Sequence, residues 1–236
     1  MSRPRVLLMP TLCEVEWKIA PLIGEWADVA SFDAPGVGDE AAGDFSANAV
    51  VERGIAELDQ LGWPEYFLVG DEFGAAQAVR LAKRRPQGIR GLALGHASLS
   101  LRNHGEAAPM NADVTEAVMQ IARTDYRSFV RALTQVTQNA YDDELAESYV
   151  AKVPAEAVAS YIPEMIGEAA EEDLEPILRE LGVPLLLVEH RGCLMWTHEG
   201  FEAVTAAFPD ARTAAMDVKP SVNPEFAELL RDFCGP

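Results

Sequence analysis

Cations are scarce in this chain. It carries 19 lysines and arginines against 38 aspartates and glutamates, a formal net charge of −19. Such a field repels nucleic acid, whose binding depends on neutralised phosphates, and it disfavours anionic membrane surfaces. Cysteine is also rare. Cys13, Cys193 and Cys234 are isolated and odd in number, which argues against a disulfide framework or a zinc spacing. No apolar run approaches the roughly 20 residues of a membrane span. The apolar stretch after Arg5 is shorter than the core of a signal peptide, about 7–15 residues. These shortages predict a cytoplasmic protein with no metal or cofactor and no nucleic-acid or membrane partner. A small molecule is the expected ligand, and a homodimer is compatible with all of this.

What is present is a sizeable core, with 49% of residues hydrophobic. Short β-rich runs alternate with helical patterns, which predicts a parallel sheet covered on both faces. The expected strands are Val6 to Met9, Val29 to Phe32, Tyr66 to Val69, Gly91 to Leu94, Pro184 to Val188 and Thr213 to Met216. A helix holding Trp17 and Leu22 is expected after the first strand. Ala47 to Leu61 places Val50, Val51, Ile55 and Leu58 on one face. Further helices are expected at Phe73 to Arg84, around Phe201, Val204 and Phe208, and around Phe226, Leu229 and Phe233. Residues 103–181 read as helices without strands, for example Ile121, Phe129 and Leu133 on one face and Val158, Tyr161 and Ile162 on another. The expected organisation is a core of 1–102 and 182–236 with a helical cap at 103–181. The cap leaves after the fourth strand and returns before the fifth. It should therefore lie over the carboxyl edge of the sheet, where open α/β sheets bind ligands.

Four segments then become specific. They are Arg5 to Pro10 followed by Trp17, the turn Asp33-Ala34-Pro35-Gly36-Val37-Gly38, the string Val69-Gly70-Asp71-Glu72-Phe73-Gly74, and Gly182-Val183-Pro184 leading into the fifth strand. In this order they resemble the α/β-hydrolase superfamily with a helical cap. The third looks like the nucleophile elbow, Gly-x-nucleophile-x-Gly, a strained strand-to-helix turn. Its Glu72-Phe73 pair is closest to the epoxide-hydrolase and haloalkane-dehalogenase elbow, where an Asp precedes an aromatic residue. The resemblance implies a mostly parallel six-strand sheet with helices on both faces.

The chain departs from the family at its catalytic positions. Glu72 stands where many members carry serine. Glu189-His190-Arg191-Gly192-Cys193 follows the fifth strand without an Asp. Asp217 to Asn223, before the last helix, has no histidine. Pro10, in the first-strand loop, has no backbone N–H to offer. An acyl-serine route is thereby excluded. A Glu72 ester would need a base-activated water for release, and Lys219, charged unless desolvated, reads as a poor base. Glu72 is the leading candidate for a general acid or base, helped by His96 or His190, with a Glu72–His96 pair suggested by strand adjacency. Met9, Thr11, Cys13, Asp71, Phe73 and Trp196 are the candidate substrate-binding residues. Asp71 is also read as structural, since it should point away from Glu72. His104 and His198 read as surface residues, and Ser31 and Ser98 are rejected as nucleophiles for want of an elbow. The reading that follows is a hydrolase- or lyase-like enzyme for an epoxide, lactone or similar small molecule. The alternative is an inactive hydrolase-fold protein that binds a small molecule or a protein.

Overall fold

The computed structural model describes residues 3–11, 17–40, 43–96, 117, 120–138, 143–161, 173–192 and 197–235. Six strands form one parallel sheet in the order β2-β1-β3-β4-β5-β6. They are β1 (Arg5–Leu8), β2 (Asp28–Ser31), β3 (Tyr66–Asp71), β4 (Ile89–Gly95), β5 (Leu185–His190) and β6 (Arg212–Met216). The central strands are near-continuous apolar runs because helices cover both faces. Leu7, Leu68, Leu92 and Leu187 face one cluster, and Val6, Leu8, Val69, Ala93, Leu186 and Val188 face the other. Each buried leucine or valine among them contributes about 1.5–3 kcal/mol.

The helices are α1 (Ala20–Gly24), α2 (Ala47–Leu61), α3 (Phe73–Arg84), α4 (Tyr126–Gln138), α5 (Asp143–Lys152), α6 (Glu175–Leu181), α7 (His198–Ala207) and α8 (Pro224–Cys234). Helix α2 starts at Ser46, whose Oγ accepts from the Ala49 N–H at 3.1 Å. It stops at Gly62, in the left-handed region.

Several strand ends shift by one or two residues, β3 reaching Asp71 and β4 starting at Ile89, and two further differences have a clear cause. Trp17 precedes α1 rather than lying in it, because Pro21 sits in the first turn of the helix and fixes its start. The Trp17 indole is buried against Phe226 of α8 and donates to the Met9 carbonyl at 2.9 Å. Strand β5 runs on through Glu189 and His190, because both pair with β6, at Ala215 and Met216.

Between β4 and β5 the described residues form helices and no strand. Phe129, Val130, Leu145, Tyr149 and Tyr161 join the same apolar cluster as the β-sheet face. Two contacts tie this helical region to the turn after β2. Tyr161 Oη donates to the Pro35 carbonyl at 3.0 Å, and the Gly38 N–H donates to the Lys152 carbonyl at 2.8 Å. No helix among the described residues is long and apolar enough to cross a membrane.

Candidate active site

Strands β3, β4 and β5 are neighbours, and their carboxyl ends deliver Asp71 and Glu72, His96, and His190 to one place. Register sets this precisely enough to name pairs: Gly70 lies beside Leu94 and Asp71 beside Gly95. The turn from β3 into α3 is tight. A Cβ on Gly70 would overlap the Gly74 carbonyl, so only glycine fits there. Glu72, at the tip, has φ 51° and ψ −117°. For a residue with a Cβ this conformation costs of the order of 1–3 kcal/mol, and such strain gathers at functional sites. The Glu72 N–H holds the Gly95 carbonyl at 2.9 Å and its carbonyl accepts from the Ala75 N–H at 3.1 Å.

The Glu72 side chain meets a cation from the far end of the chain. Lys219 lies between β6 and the short 3-10 turn Pro220–Val222, and its Nζ is 3.1 Å from Glu72 Oε2. The lysine side chain is 2% exposed and the glutamate 11%. The lysine is fixed from behind. The Ser221 carbonyl accepts from the Ile19 N–H, and Asn223 caps α8 by accepting from the Glu225 N–H at 3.0 Å. An ion pair this far from water is costly to desolvate and is retained only with close geometry.

His96 has a left-handed backbone, φ 44°. That conformation ends the β4 ladder and turns the imidazole back along β5. Its Nε2 lies 3.1 Å from the His190 amide nitrogen and 3.0 Å from the His190 carbonyl. A backbone N–H cannot rotate its hydrogen away, so it must donate to Nε2, which is therefore an acceptor. The ring proton is then on Nδ1, 3.6 Å from Asp71 Oδ1. Asp71 is fully buried, and neither carboxylate oxygen has a hydrogen-bond partner among the described residues. Gly95 leaves room for this carboxylate, since a Cβ there would overlap it. Burial works against the charge of Asp71, yet the His96 imidazole and the Lys219 ammonium together hold its carboxyl below the usual range.

His190 is 2% exposed, with its ring 5.2 Å from that of His96, and neither ring nitrogen has a hydrogen-bond partner among the described residues. Burial, helped by the neighbouring His96, pushes its pKa down to about 4. His190 is thus a neutral imidazole at neutral pH.

Glu72 therefore pairs with Lys219, while His96 turns to Asp71 and to the backbone of His190. Lys219, a poor base by its charge, enters the site instead as the partner of a buried carboxylate. Its place just before the last helix, at the carboxyl edge of the sheet, is the signal that sequence offers. Asp71 and Met9, expected against substrate, are fully buried, Met9 in the apolar core and Asp71 within the polar cluster. Thr11 is 3% exposed, and Phe73 packs partly buried against the core. Cys13 and Trp196 lie outside the described residues, as do Ser98, His104 and Cys193. His198 is an exposed residue that contacts Glu189 Oε1 at 2.6 Å. The Cys234 thiol is pushed up to about 12 by burial, which leaves it unreactive. Among the described residues no group of three or more metal-binding side chains is placed to hold an ion.

No family model matches this sequence, and no curated protein matches it. Solved structures do. One is an esterase (EaEST) from Exiguobacterium antarcticum, with TM-score 0.79 and 16% identity over 99% of this chain and 92% of the other. A bromoperoxidase from Bacillus anthracis matches with TM-score 0.76 and 17% identity, and an enol-lactonase from Burkholderia xenovorans LB400 with TM-score 0.76 and 21% identity. Each of these two also covers 99% of this chain and 92% of its own. At such identities the likeness is one of fold.

Proposed function

From the α/β-hydrolase fold of this chain we propose that it is a small-molecule enzyme that works without an acyl-serine step. Glu72 is its general acid/base, and the reaction is hydrolase- or lyase-like on a lactone, epoxide or similar compound. One observation carries the reading: the carboxylate stands at the tip of the strained elbow, partly exposed, with a buried ammonium 3.1 Å behind it. That ammonium favours the charged form of the carboxylate, so Glu72 begins as a base. It takes a proton from a water or from a carbon acid of the substrate, and returns it to the leaving oxygen. Lys219 is the positioning residue that holds Glu72 and balances its charge. The esterase and enol-lactonase among the structural neighbours make lactones and esters the first compounds to try.

Turnover of a panel of lactones, esters and epoxides tests this. On whichever compound the wild type converts, Glu72→Gln is expected to lower kcat/KM by about 10²–10⁴-fold, the usual weight of a general base. Unchanged turnover in Glu72→Gln would remove Glu72 from the mechanism. A fluorophosphonate, which labels activated serine, is expected to leave the protein unlabelled, since the elbow carries no hydroxyl; a labelled serine would restore the acyl-enzyme route.

A second reading is supported by the same ion pair, because it already occupies the elbow carboxylate. In that reading the fold binds a small molecule or a protein partner and converts nothing. Recovery of a tightly bound ligand chemically intact, with no turnover of the panel, would favour it.

A further inference from the structure

We propose that a second site, independent of Glu72, lies at the amino edge of the sheet and binds a phosphate group, free or as the monoester end of a small molecule. The inference is carried by three arginines that line one cleft of a strongly acidic chain.

The amino ends of β1, β3 and β4 and the end of α8 enclose a cleft of about 160 Å³, lined by Arg3, Arg5, Glu65, Tyr66, Arg90 and Cys234. Parallel pairing gathers these residues, because all three strands start on this edge, opposite the edge that carries Glu72. Arg3 is anchored, its guanidinium donating to the carbonyls of Gly24 and Ala27. Its other contact is Asp28, at 3.7 Å. Arg5 lies beside Asp28 in the β1–β2 register, yet that carboxylate is turned to Arg3. Arg5 itself is half-buried and has no hydrogen bond or ion pair from its side chain among the described residues. Arg90 contacts Glu65 at 3.3 Å, and both side chains are exposed.

The other lining groups add no charge. The Tyr66 hydroxyl donates to the Arg85 carbonyl, and burial pushes its pKa up to about 12. Burial does the same to the Cys234 thiol, also to about 12. The carboxyl end of α8 brings partial negative charge, which Arg231 in its last turn offsets. Three guanidinium groups thus face one carboxylate, and cations still lead by one when Asp28 is counted. In a chain with 38 acidic residues against 19 lysines and arginines, this local excess runs against the overall balance. The two ion pairs of the cleft are exposed and therefore weak, so they yield to a ligand that engages several guanidinium groups at once. The planar fork of arginine bonds two oxygens of one phosphate, and a dianion serves more than one fork. A cleft of this size takes a single small group rather than a polymer's run of charges.

Titration of the full chain with inorganic phosphate and with phenyl phosphate at pH 7.5, followed by amide NMR against sodium chloride of matched ionic strength, tests this. Saturable shifts in the millimolar range are expected at the amides of Arg5, Phe67 and Arg90. Arg5→Gln is expected to weaken phosphate by about tenfold and Arg90→Gln by about threefold. Arg123→Gln removes the same charge from an exposed site in the helical region and is expected to leave the affinity unchanged. Should Arg5→Gln fail to fold, the exposed Arg90→Gln decides alone. Tighter binding of phenyl phosphate would make a monoester the ligand, and equal binding would make it free phosphate; both support the site. The absence of saturable shifts, the same shifts with chloride, an affinity that survives both cleft substitutions, or an equal loss in Arg123→Gln would overturn the proposal.

Discussion

Lys219→Met is expected to lower the unfolding free energy by about 3–5 kcal/mol, the usual cost of removing one partner from a buried ion pair. The loss does not come from the attraction alone. Met matches the stem of lysine in length and keeps its apolar contacts, so packing changes little. What remains is a Glu72 carboxylate with a side chain only 11% exposed and, beside it, the fully buried Asp71. Both lose their cation at once. In a chain of this size the change corresponds to roughly 10 °C in Tm, at about 2–4 °C per kcal/mol. The double variant Glu72→Gln with Lys219→Met removes both charges of the pair and is expected to recover at least half of the loss, because paired neutral groups of similar volume substitute well for a buried ion pair. Urea unfolding at pH 7 reads both effects as shifts of midpoint at constant slope. A Lys219→Met loss below about 1 kcal/mol would mean that the lysine ammonium reaches water in solution, and the ion pair would cease to define the elbow. The recovered double variant, folded but without its carboxylate, also separates catalysis from stability: it is expected to be stable and inactive.

The architecture was legible because parallel strands leave long apolar runs and because turns need particular residues. The alternation of runs such as Tyr66 to Val69 and Leu185 to Val188 with amphipathic helices located the sheet, and Gly70 and Gly74 located the elbow. Glu72 was legible as its tip for the same reason. Its partner was not. Strand adjacency points from Glu72 to His96, but adjacency fixes only where a Cα lies. The left-handed backbone of His96 turns the ring toward the His190 amide, and no local pattern announces that. Lys219 reads from sequence as a poor base, which an ion pair fits, but its role as the partner of Glu72 is not legible, because a lone lysine is expected to keep its ammonium in water. The long stem lets the ammonium reach a carboxylate 147 residues away in sequence. The apolar pattern of β5 ends at Val188 because Glu189 and His190 are polar, yet both are buried and paired with β6. Sequence pattern thus places most of the backbone, while contacts between residues distant in the chain decide the Lys219 side chain, the His96 ring and the end of β5.

The buried His190 predicts how this fold fails in acid. Its pKa is about 4 in the folded protein, against about 6.5 for an exposed histidine. The unfolded chain therefore binds a proton that the folded chain refuses. Stability is unaffected by this residue well above pH 6.5, and falls as pH drops from 6.5 through 4. The full loss is of the order of 3 kcal/mol, at about 1.4 kcal/mol for each pH unit between the two values. Asp71 acts in the same direction further down. Its folded carboxyl is held below the usual range, so its contribution is present above the ordinary carboxylate pKa and lost as pH falls through the folded value. His190→Phe removes the first effect and keeps the ring. Because the two ring nitrogens have no hydrogen-bond partner among the described residues, the substitution removes two unsatisfied polar atoms and is expected to hold or raise stability at pH 7.5. The difference between wild type and His190→Phe, measured by urea unfolding at half-unit steps from pH 7.5 to 4, isolates the histidine from every other titrating group common to both. That difference is expected to grow by about 3 kcal/mol over the range, with most of the change below pH 6.5. A difference that stays constant would mean that the His190 ring is hydrated and titrates as an exposed histidine does. The elbow cluster would then gain a proton at His190 in mild acid, and stability would lose its dependence on this residue.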